Sequence, residues 1–220
     1  MIFGFNGDQI HLLLIDRENQ LKNVISEYAL PGNLIRDDEN LDMAAERVLK
    51  ELTGLSDIYL EQFGAFGDPD RVKNIKDLPW LQSNRSNPGA RVITIAYYAL
   101  VKMSDFNPSA SSFAERVLWQ EVQDIPELAF DHSKIVTTAL NKLRNDVREL
   151  RVGHELLPEK FTLTQVQSLH ESILNSSFDK RNFRKKALND SWVIPLDEKQ
   201  TGVFHKPARL YSWNKDRLSL

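Results

Sequence analysis

The sequence predicts an α/β protein in two parts: a sandwich of strands and helices over residues 1–150, and a smaller module of two helices and a strand pair over residues 151–220. Three observations support this prediction. In the first part, segments with strand-like and helix-like hydrophobic periodicity alternate, which is typical of helices packed on a mixed sheet. In the second part, two short amphipathic helices precede two strands. The net charge also changes sign between the two parts.

The charge asymmetry is hidden in a net charge of −3 for the whole chain at pH 7. Residues 151–220 contain 12 Lys and Arg against 8 Asp and Glu, a net charge of +4. Residues 1–150 contain 16 against 23, a net charge of −7. An acidic first part and a basic second part indicate two modules, and we expect the second to bind an anionic partner.

The composition excludes several classes of protein. Of the 220 residues, 41% are hydrophobic and 27% are charged, as in ordinary globular proteins. No apolar run approaches the ~20 residues that span a bilayer, so we expect no membrane partner. The chain has no cysteine, which excludes disulfides and thiolate zinc sites. The start of the chain lacks the features of a signal peptide, and we expect a cytoplasmic protein.

The first elements are predicted from a turn and two caps. Strands over 2–5 and 9–16 flank Asn6-Gly7, which is a strong hairpin signal. A helix then runs from Asn40 as its N-cap to Gly54, which ends it. The apolar stripe of this helix consists of Leu41, Ala44, Ala45, Val48, Leu49 and Leu52.

The rest of the first part is predicted as three strands and a second helix. We expect strands over 58–66, 91–101 and 116–119, with a long loop over 72–88 and a polar loop over 107–114. Trp80 is expected to anchor the long loop. A helix capped by Asp131 or Ser133 runs to about Leu150. Its apolar stripe consists of Ile135, Ala139, Leu140, Leu143 and Val147.

The segment from Leu30 to Leu55 resembles the Nudix box, in which a loop and a helix place glutamates for the cleavage of diphosphates. Registered on Gly54, the motif residues that are present are Glu39, Arg47, Leu49, Glu51, Gly54 and Leu55. The motif glycine is replaced by Asn33, and two of the three helix glutamates are replaced by Val48 and Leu52. An ordinary core helix with a coincidental match is the alternative.

The missing glutamates bear directly on the chemistry. Mg²⁺ prefers hard carboxylate ligands and neutralises charge on the transferred group, so one helix glutamate, Glu51, with Glu39 in the loop makes a poor cluster. We therefore expect a Nudix scaffold that is not an enzyme, with no catalytic residue, metal or cofactor. The alternative is a Mg²⁺-dependent hydrolase of a nucleoside diphosphate derivative that uses Glu39 and Glu51.

Further stretches resemble Nudix-related transcriptional regulators of the NrtR type. They are Trp119 with the phrase at 125–132, and the phrase at 66–71 with that at 89–98. Together with the box, the resemblance spans nearly all of residues 1–150. It implies a protein of class α/β (α+β), with a Nudix-like α/β/α sandwich that senses an effector, followed by a C-terminal winged helix-turn-helix domain.

The pattern of the basic module independently indicates a winged helix-turn-helix. After a linker over 153–158, a helix opens with two overlapping capping signals, Thr162 to Gln165 and Thr164 to Gln167. A turn then leads to a basic helix over about 179–188, with Phe183, Ala187 and Leu188 on its buried face. Strands over 192–195 and 209–213 are expected to form the wing.

The second helix of such a module enters the major groove of DNA. Arg181 and Asn182 are candidates for reading base edges, because arginine pairs with guanine and asparagine with adenine. The other basic side chains of this helix are expected to hold phosphates. The whole predicted DNA-binding set is Thr164, Lys180, Arg181, Asn182, Arg184, Lys185, Lys186, Lys206 and Arg209. A basic helix that is merely solvated is the alternative.

The resulting hypothesis is a repressor of sugar utilisation that binds double-stranded DNA as a homodimer on a palindromic operator. The phrases at 45–55 and 179–185 resemble the arabinose-responsive AraR type, which implies a pentose such as L-arabinose as the effector. The alternatives are a regulator of NAD metabolism that senses ADP-ribose, the hydrolase, and a metabolite-binding adaptor without DNA contact. Candidate effector contacts, each of which can equally be a surface-loop residue, are Asn33, Glu39, Asp68, Asp70, Arg71 and Arg91.

Overall fold

A computed structural model describes residues 1–17, 28–74, 76–108, 114–148, 155–204, 206–214 and 216. The predicted polar loop over 107–114, the linker over 153–158 and the end of the helix near Leu150 lie partly outside these residues. Among the helices in the described ranges, none is long and apolar enough to cross a membrane.

The described part of the chain contains eight strands and five α-helices. In chain order they are β1 (Ile2–Phe5), β2 (Ile10–Arg17), β3 (Tyr28–Ala29), α1 (Leu41–Thr53), β4 (Glu61–Phe66), α2 (Leu78–Asn84), β5 (Thr94–Lys102), β6 (Ala114–Glu121), α3 (His132–Arg148), α4 (Leu163–Leu174), α5 (Lys180–Asn189), β7 (Val193–Lys199) and β8 (Arg209–Trp213).

A mixed sheet of six strands forms the centre of the first part. Five strands lie in the order β3-β2-β1-β5-β4, and β6 pairs with β2. β1 is antiparallel to β2 and parallel to β5. The predicted hairpin turn is confirmed: the side chain of Asn6 accepts hydrogen bonds from the backbone N–H groups of Asp8 (2.9 Å) and Gln9 (2.8 Å).

Successive side chains of a strand point to opposite faces of this sheet, and a helix packs on each face. On one face, Leu49 of α1 packs in a cluster with Ile2 and Leu13. On the other face, Phe3 of β1 packs in a cluster with Leu143 of α3. Because neighbouring residues of β1 serve opposite faces, the predicted sandwich of helices around a mixed sheet is confirmed.

α1 has the predicted caps. The side chain of Asn40 accepts a hydrogen bond from the N–H of Met43 (2.9 Å), and Gly54 takes a left-handed φ of 70°. Most of the predicted stripe is buried or half-buried, but Leu41 is exposed, so the stripe begins one turn later than predicted.

Four predictions for the middle of the chain are wrong in detail. β4 begins at Glu61 rather than at residue 58, β5 begins at Thr94 rather than at residue 91, and β6 spans 114–121 rather than 116–119. The predicted loop over 72–88 contains helix α2, whose single apolar turn gave no periodic signal. Leu81 of α2 is fully buried, and the side chain of Asp77 in front of it accepts a hydrogen bond from the N–H of Phe130 (2.9 Å).

The second part contains helices α4 and α5 and the hairpin β7–β8. Thr162 and Gln165 form the predicted capping box of α4. The second predicted signal is not a cap, because Gln167 donates hydrogen bonds to Glu171 and to the carbonyl of Phe178 (both 2.9 Å). On α5, Phe183 and Ala187 are buried as predicted, whereas Leu188 is 43% exposed.

The two parts share one hydrophobic cluster. Leu156 and Leu157, placed by the sequence in a linker, are fully buried in it beside residues of the sandwich and of α4. The described part of that linker therefore belongs to the core. Hydrogen bonds cross the same interface: Ser172 on α4 accepts one from the N–H of Ile10 (2.6 Å), and Arg144 on α3 donates one to the carbonyl of Ile173 (3.1 Å).

Candidate functional site

The remnants of the Nudix box form a network of charges around Arg47. Its guanidinium donates hydrogen bonds to both carboxylate oxygens of Glu39, to Glu51 (2.9 Å) and to the carbonyl of Leu34 (2.9 Å). Arg36 donates a further bond to Glu51 (2.9 Å). The loop over 33–39 is therefore fastened to α1 by arginine–carboxylate bonds.

The same network occupies the carboxylates that a metal would need. The hydrogen bond from Arg47 lowers the pKa of Glu39 to about 2, and it also lowers the pKa of Glu51. Leu52, in place of a motif glutamate, is fully buried. Among the described residues, no group of three or more metal-binding side chains lies together. The donor set does not fit the Mg²⁺ cluster that a Nudix hydrolase uses.

A pocket of about 770 Å³ opens beside this network. The loop at 30–35, the start of α1, strand β5 and the segment at 85–93 line it. Three of the predicted effector residues, Asn33, Arg71 and Arg91, belong to the lining. Its volume lies in the ordinary range for a small-molecule site.

The other three predicted effector residues do not line the pocket. Glu39 is bound to Arg47, as described above. Asp68 pairs with Lys134, which lowers the pKa of the Asp68 carboxyl, and Asp70 pairs with Lys73 (2.7 Å). For these three residues the prediction of effector contact is not supported by their positions.

Arg71 is held rigidly in the wall of the pocket. Its side chain is almost fully buried and donates to both oxygens of Asp131 (2.9 and 2.7 Å) and to the hydroxyl of Thr94. The sequence predicted Asp131 as a helix cap and did not associate it with the site. Because the two residues are 60 positions apart, only the fold shows that this carboxylate neutralises Arg71.

The lining carries positive charge and aromatic rings. Three arginines belong to it, namely Arg71, Arg85 and Arg91, and none of the described lining residues is an Asp or a Glu. Burial, and then the nearby charge of Arg71, lower the pKa of Arg85. The rings of Trp80 and Phe130 lie in the same wall, edge to face at 5.9 Å between centroids. Such a lining favours a ligand with an anionic group and a planar ring.

Arg85 was missed by sequence reading. It follows Ser83-Asn84 and precedes Ser86-Asn87, a composition typical of a surface loop. Trp80 was noted only as an anchor. The proximity of this segment to Phe130 and Arg71 depends on α2, which gave no periodic signal, so the sequence offered no sign that these residues share a pocket.

A second candidate site is the outer face of α5. The predicted DNA-binding residues of this helix are exposed, and Asp179 caps it by accepting a hydrogen bond from the N–H of Asn182 (2.8 Å). Arg181 and Asn182 therefore lie in the first turn. Lys186 extends over the ring of Trp192 at 5.4 Å from its centroid, a cation–π contact that joins the helix to the wing.

The remaining predicted DNA contacts surround this helix. Thr164, exposed at the start of α4, accepts a hydrogen bond from Arg184 (3.4 Å). Arg209 on β8 donates to the carbonyl of Leu196 on β7 (2.7 Å), so part of its function is to brace the wing. Lys206 is exposed between these two strands. The arrangement is that of a winged helix with a basic recognition helix.

The chain is similar to known proteins in both of its parts. Residues 153–213 match the family model of the NrtR DNA-binding winged helix domain. The chain is 30% identical to the ADPR responsive transcriptional repressor NtrR of Acinetobacter baylyi, over 96% of this chain and 78% of that protein.

Solved structures extend the similarity to the fold of the whole chain. The structure of Shewanella oneidensis NrtR complexed with a 27mer DNA is 25% identical, with a TM-score of 0.68 over 99% of this chain and 93% of that chain. The NUDIX domain of the same protein complexed with ADP ribose is 24% identical, with a TM-score of 0.50 over 64% of this chain and 83% of that chain. The first part thus has the Nudix fold, and the second part is a winged helix domain.

These comparisons do not support the predicted place in the arabinose-responsive branch. The phrases at 45–55 and 179–185, on which that prediction rested, are short and belong to a helix of the scaffold and to the recognition helix. Neither phrase supplies the arginines and aromatic residues of the pocket wall, so neither could identify the effector.

Proposed function

The chain belongs to the family of Nudix-related transcriptional regulators of the NrtR type, and on this premise we propose that it is a repressor whose Nudix domain binds ADP-ribose. The Acinetobacter relative is named for its response to ADPR, and the Shewanella NUDIX domain has been crystallised with ADP ribose. Those ligands are properties of the relatives. What supports the extension to this chain is the chemistry of its own pocket.

The observation that carries the proposal is a lining with three arginines and, among the described residues, no carboxylate. ADP-ribose contains an ionised pyrophosphate and an adenine ring, which match guanidinium groups and the rings of Trp80 and Phe130. A pentose is neutral and offers neither feature. The pocket therefore favours the ADP-ribose alternative over L-arabinose, and with it control of NAD metabolism over sugar utilisation.

Ligand binding without turnover is the expected behaviour. Both remaining box glutamates, Glu39 and Glu51, are bound to Arg47, and the other two glutamate positions of the box hold Val48 and the buried Leu52. Without carboxylates free to hold Mg²⁺, the pyrophosphate has no metal to stabilise its transition state. We propose that the protein senses ADP-ribose and does not cleave it.

DNA recognition is assigned to the exposed face of α5. A homodimer would present two such helices to a palindromic operator, because the symmetry of the protein is mirrored in the site. ADP-ribose can weaken this binding only by the difference in its affinity for the two conformations of the protein.

The experiment is isothermal titration of the full chain with ADP-ribose and, separately, with L-arabinose. We expect a binding isotherm with ADP-ribose and none with L-arabinose. After incubation with Mg²⁺, chromatography should recover the ADP-ribose intact. Binding of L-arabinose alone would contradict the effector assignment. Release of AMP that disappears in Glu51→Gln would instead establish the hydrolase.

A further inference from the structure

The three arginines of the pocket are not equivalent. Arg71 is committed to protein partners, since three of its nitrogens donate to Asp131 and Thr94. The carboxylate of Asp131 therefore balances the charge of Arg71 and accepts hydrogen bonds from two of its nitrogens. Arg71 shapes the wall and supplies little free bonding capacity to a ligand.

Arg85 is in the opposite situation. It is half-buried in the pocket wall, yet within the described part of the chain it has neither a hydrogen bond nor an ion pair. Its guanidinium carries several N–H donors that burial partly removes from water. Leaving such donors unpaired is costly, and a buried charge without a partner is costlier still.

Arg91 adds a second guanidinium with spare donors. Arg91 donates a long hydrogen bond, 3.4 Å, to the carbonyl of Gly67. Arg85 and Arg91 belong to one short segment that follows α2, and both line the pocket together with residues of the Nudix-box loop. Two cations in one lining that has no carboxylate among its described residues favour an anion that bridges them.

We propose that Arg85 and Arg91 hold the pyrophosphate of the bound ligand, so that the segment at 78–93, and not the Nudix box, determines ligand specificity. This inference rests on the proposed function, because it assumes a ligand of the ADP-ribose class. Arg71 and Asp131 are positioning residues, because their ion pair and the bond from Arg71 to Thr94 join the start of β5 to the residue before α3. Trp80 and Phe130, in the same wall, receive the base.

This assignment explains why the segment carries like charges. Burial, and then the nearby charge of Arg71, lower the pKa of Arg85. An anion placed against Arg85 balances its charge and pairs its N–H donors in one step. Ligand binding should therefore raise the thermal stability of the protein, and the increase should diminish with salt.

The test compares Arg85→Gln with Arg148→Ala, which removes the same charge from an exposed position at the end of α3, outside the pocket lining. Titrations use ADP-ribose, inorganic pyrophosphate and adenosine. We expect Arg85→Gln to weaken ADP-ribose binding by about ten- to a hundred-fold, in line with the loss of a charged hydrogen bond. Arg148→Ala should bind as the wild type does. Adenosine binding should be unchanged in both variants, whereas pyrophosphate binding should be lost in Arg85→Gln.

Thermal unfolding without ligand is the control that shows whether each variant is folded. Because Arg85 has no hydrogen bond or ion pair among the described residues, Arg85→Gln should unfold at a temperature no lower than the wild type. Arg85→Lys keeps the charge without the planar fork and should fall between the two in affinity. If the wild type binds ADP-ribose and Arg85→Gln binds it equally well, the anion is held elsewhere and this inference is wrong. If the wild type does not bind ADP-ribose at all, the proposed function fails first.

Discussion

His170 shows at the residue scale how packing in the winged helix controls a titratable side chain. The imidazole is buried in α4, stacked on Trp192 (5.5 Å between centroids) and edge to face with Phe183 (5.4 Å). Burial, and then the charge of Lys186, lower the pKa of His170 from 6.5 to about 4. The ring is therefore neutral in the folded protein at neutral pH, and it packs as an aromatic residue between α5 and the wing.

This shift predicts how stability depends on pH. Between pH 6.5 and 4 the unfolded chain takes up a proton at His170 and the folded chain does not, so the free energy of unfolding falls as pH decreases through that window. The loss should amount to up to about 3 kcal/mol. His170→Phe retains the ring and removes the titration, and urea unfolding at several pH values should show a shallower slope. An identical slope in variant and wild type would mean that the imidazole is not held neutral.

Other residues show where sequence reading stops at this scale. Asn40, Gly54 and Thr162 were predicted correctly because caps depend on neighbours a few positions away. Arg71 was recognised as a candidate, but its partner Asp131 was not, since the bond joins distant parts of the chain. Arg85 carried no local signal at all. Residues whose function depends on long-range contacts could be found only in the fold.

At the scale of the element, periodicity predicted the long helices and strands and failed for short ones. α1, α3 and α4 each bury a stripe that spans several turns. α2 has seven residues and one fully buried side chain, Leu81, so it looked like a loop. The resemblance to the Nudix box was informative for the fold of α1. It was uninformative for the ligand, because the arginines and the rings of Trp80 and Phe130 in the pocket lining lie outside the box.

The recognition helix α5 makes a prediction that separates base contacts from phosphate contacts. Arg181→Ala should weaken binding to the specific duplex by about 1–3 kcal/mol and relax base preference. Lys185→Ala should weaken specific and random duplexes alike and flatten the salt dependence of binding. Fluorescence anisotropy on both duplexes across a salt series measures each effect.

A lysine outside the module provides the control for these two variants. Lys50→Ala removes an exposed positive charge from α1 and should leave DNA affinity unchanged. If Arg181→Ala and Lys185→Ala affect specific and random duplexes equally, the two residues do not have the separate roles assigned to them.

At the scale of the whole molecule, the Nudix domain and the winged helix domain are one packed unit. The shared cluster runs from β1 through α3 to α4, and Ser172 joins α4 to the β1–β2 turn by accepting from Ile10 and donating to Gln9 (3.1 Å). The next residue toward the N-terminus, Glu171, accepts a hydrogen bond from the N–H of Phe178 in the turn before α5 (2.7 Å). α4 thus contacts both the Nudix domain and the turn that leads into α5.

Removing the Ser172 hydroxyl should show how much its hydrogen bond between α4 and β2 contributes to the free energy of unfolding. Ser172→Ala leaves the buried N–H of Ile10 without its acceptor, and we expect the free energy of unfolding to fall by about 1–3 kcal/mol. Ser177→Ala, in the exposed turn after α4, is the matched control and should change it little. Equal stability of the two variants in urea would show that the junction does not depend on this bond.

The proposed function is tested by the binding of the full chain to its own upstream DNA. Fluorescence anisotropy monitors this binding while ADP-ribose or L-arabinose is added. We predict tight binding at moderate salt that ADP-ribose releases and that L-arabinose leaves intact. Release by L-arabinose, with no response to ADP-ribose, would contradict the assignment of the pocket and with it the proposed function.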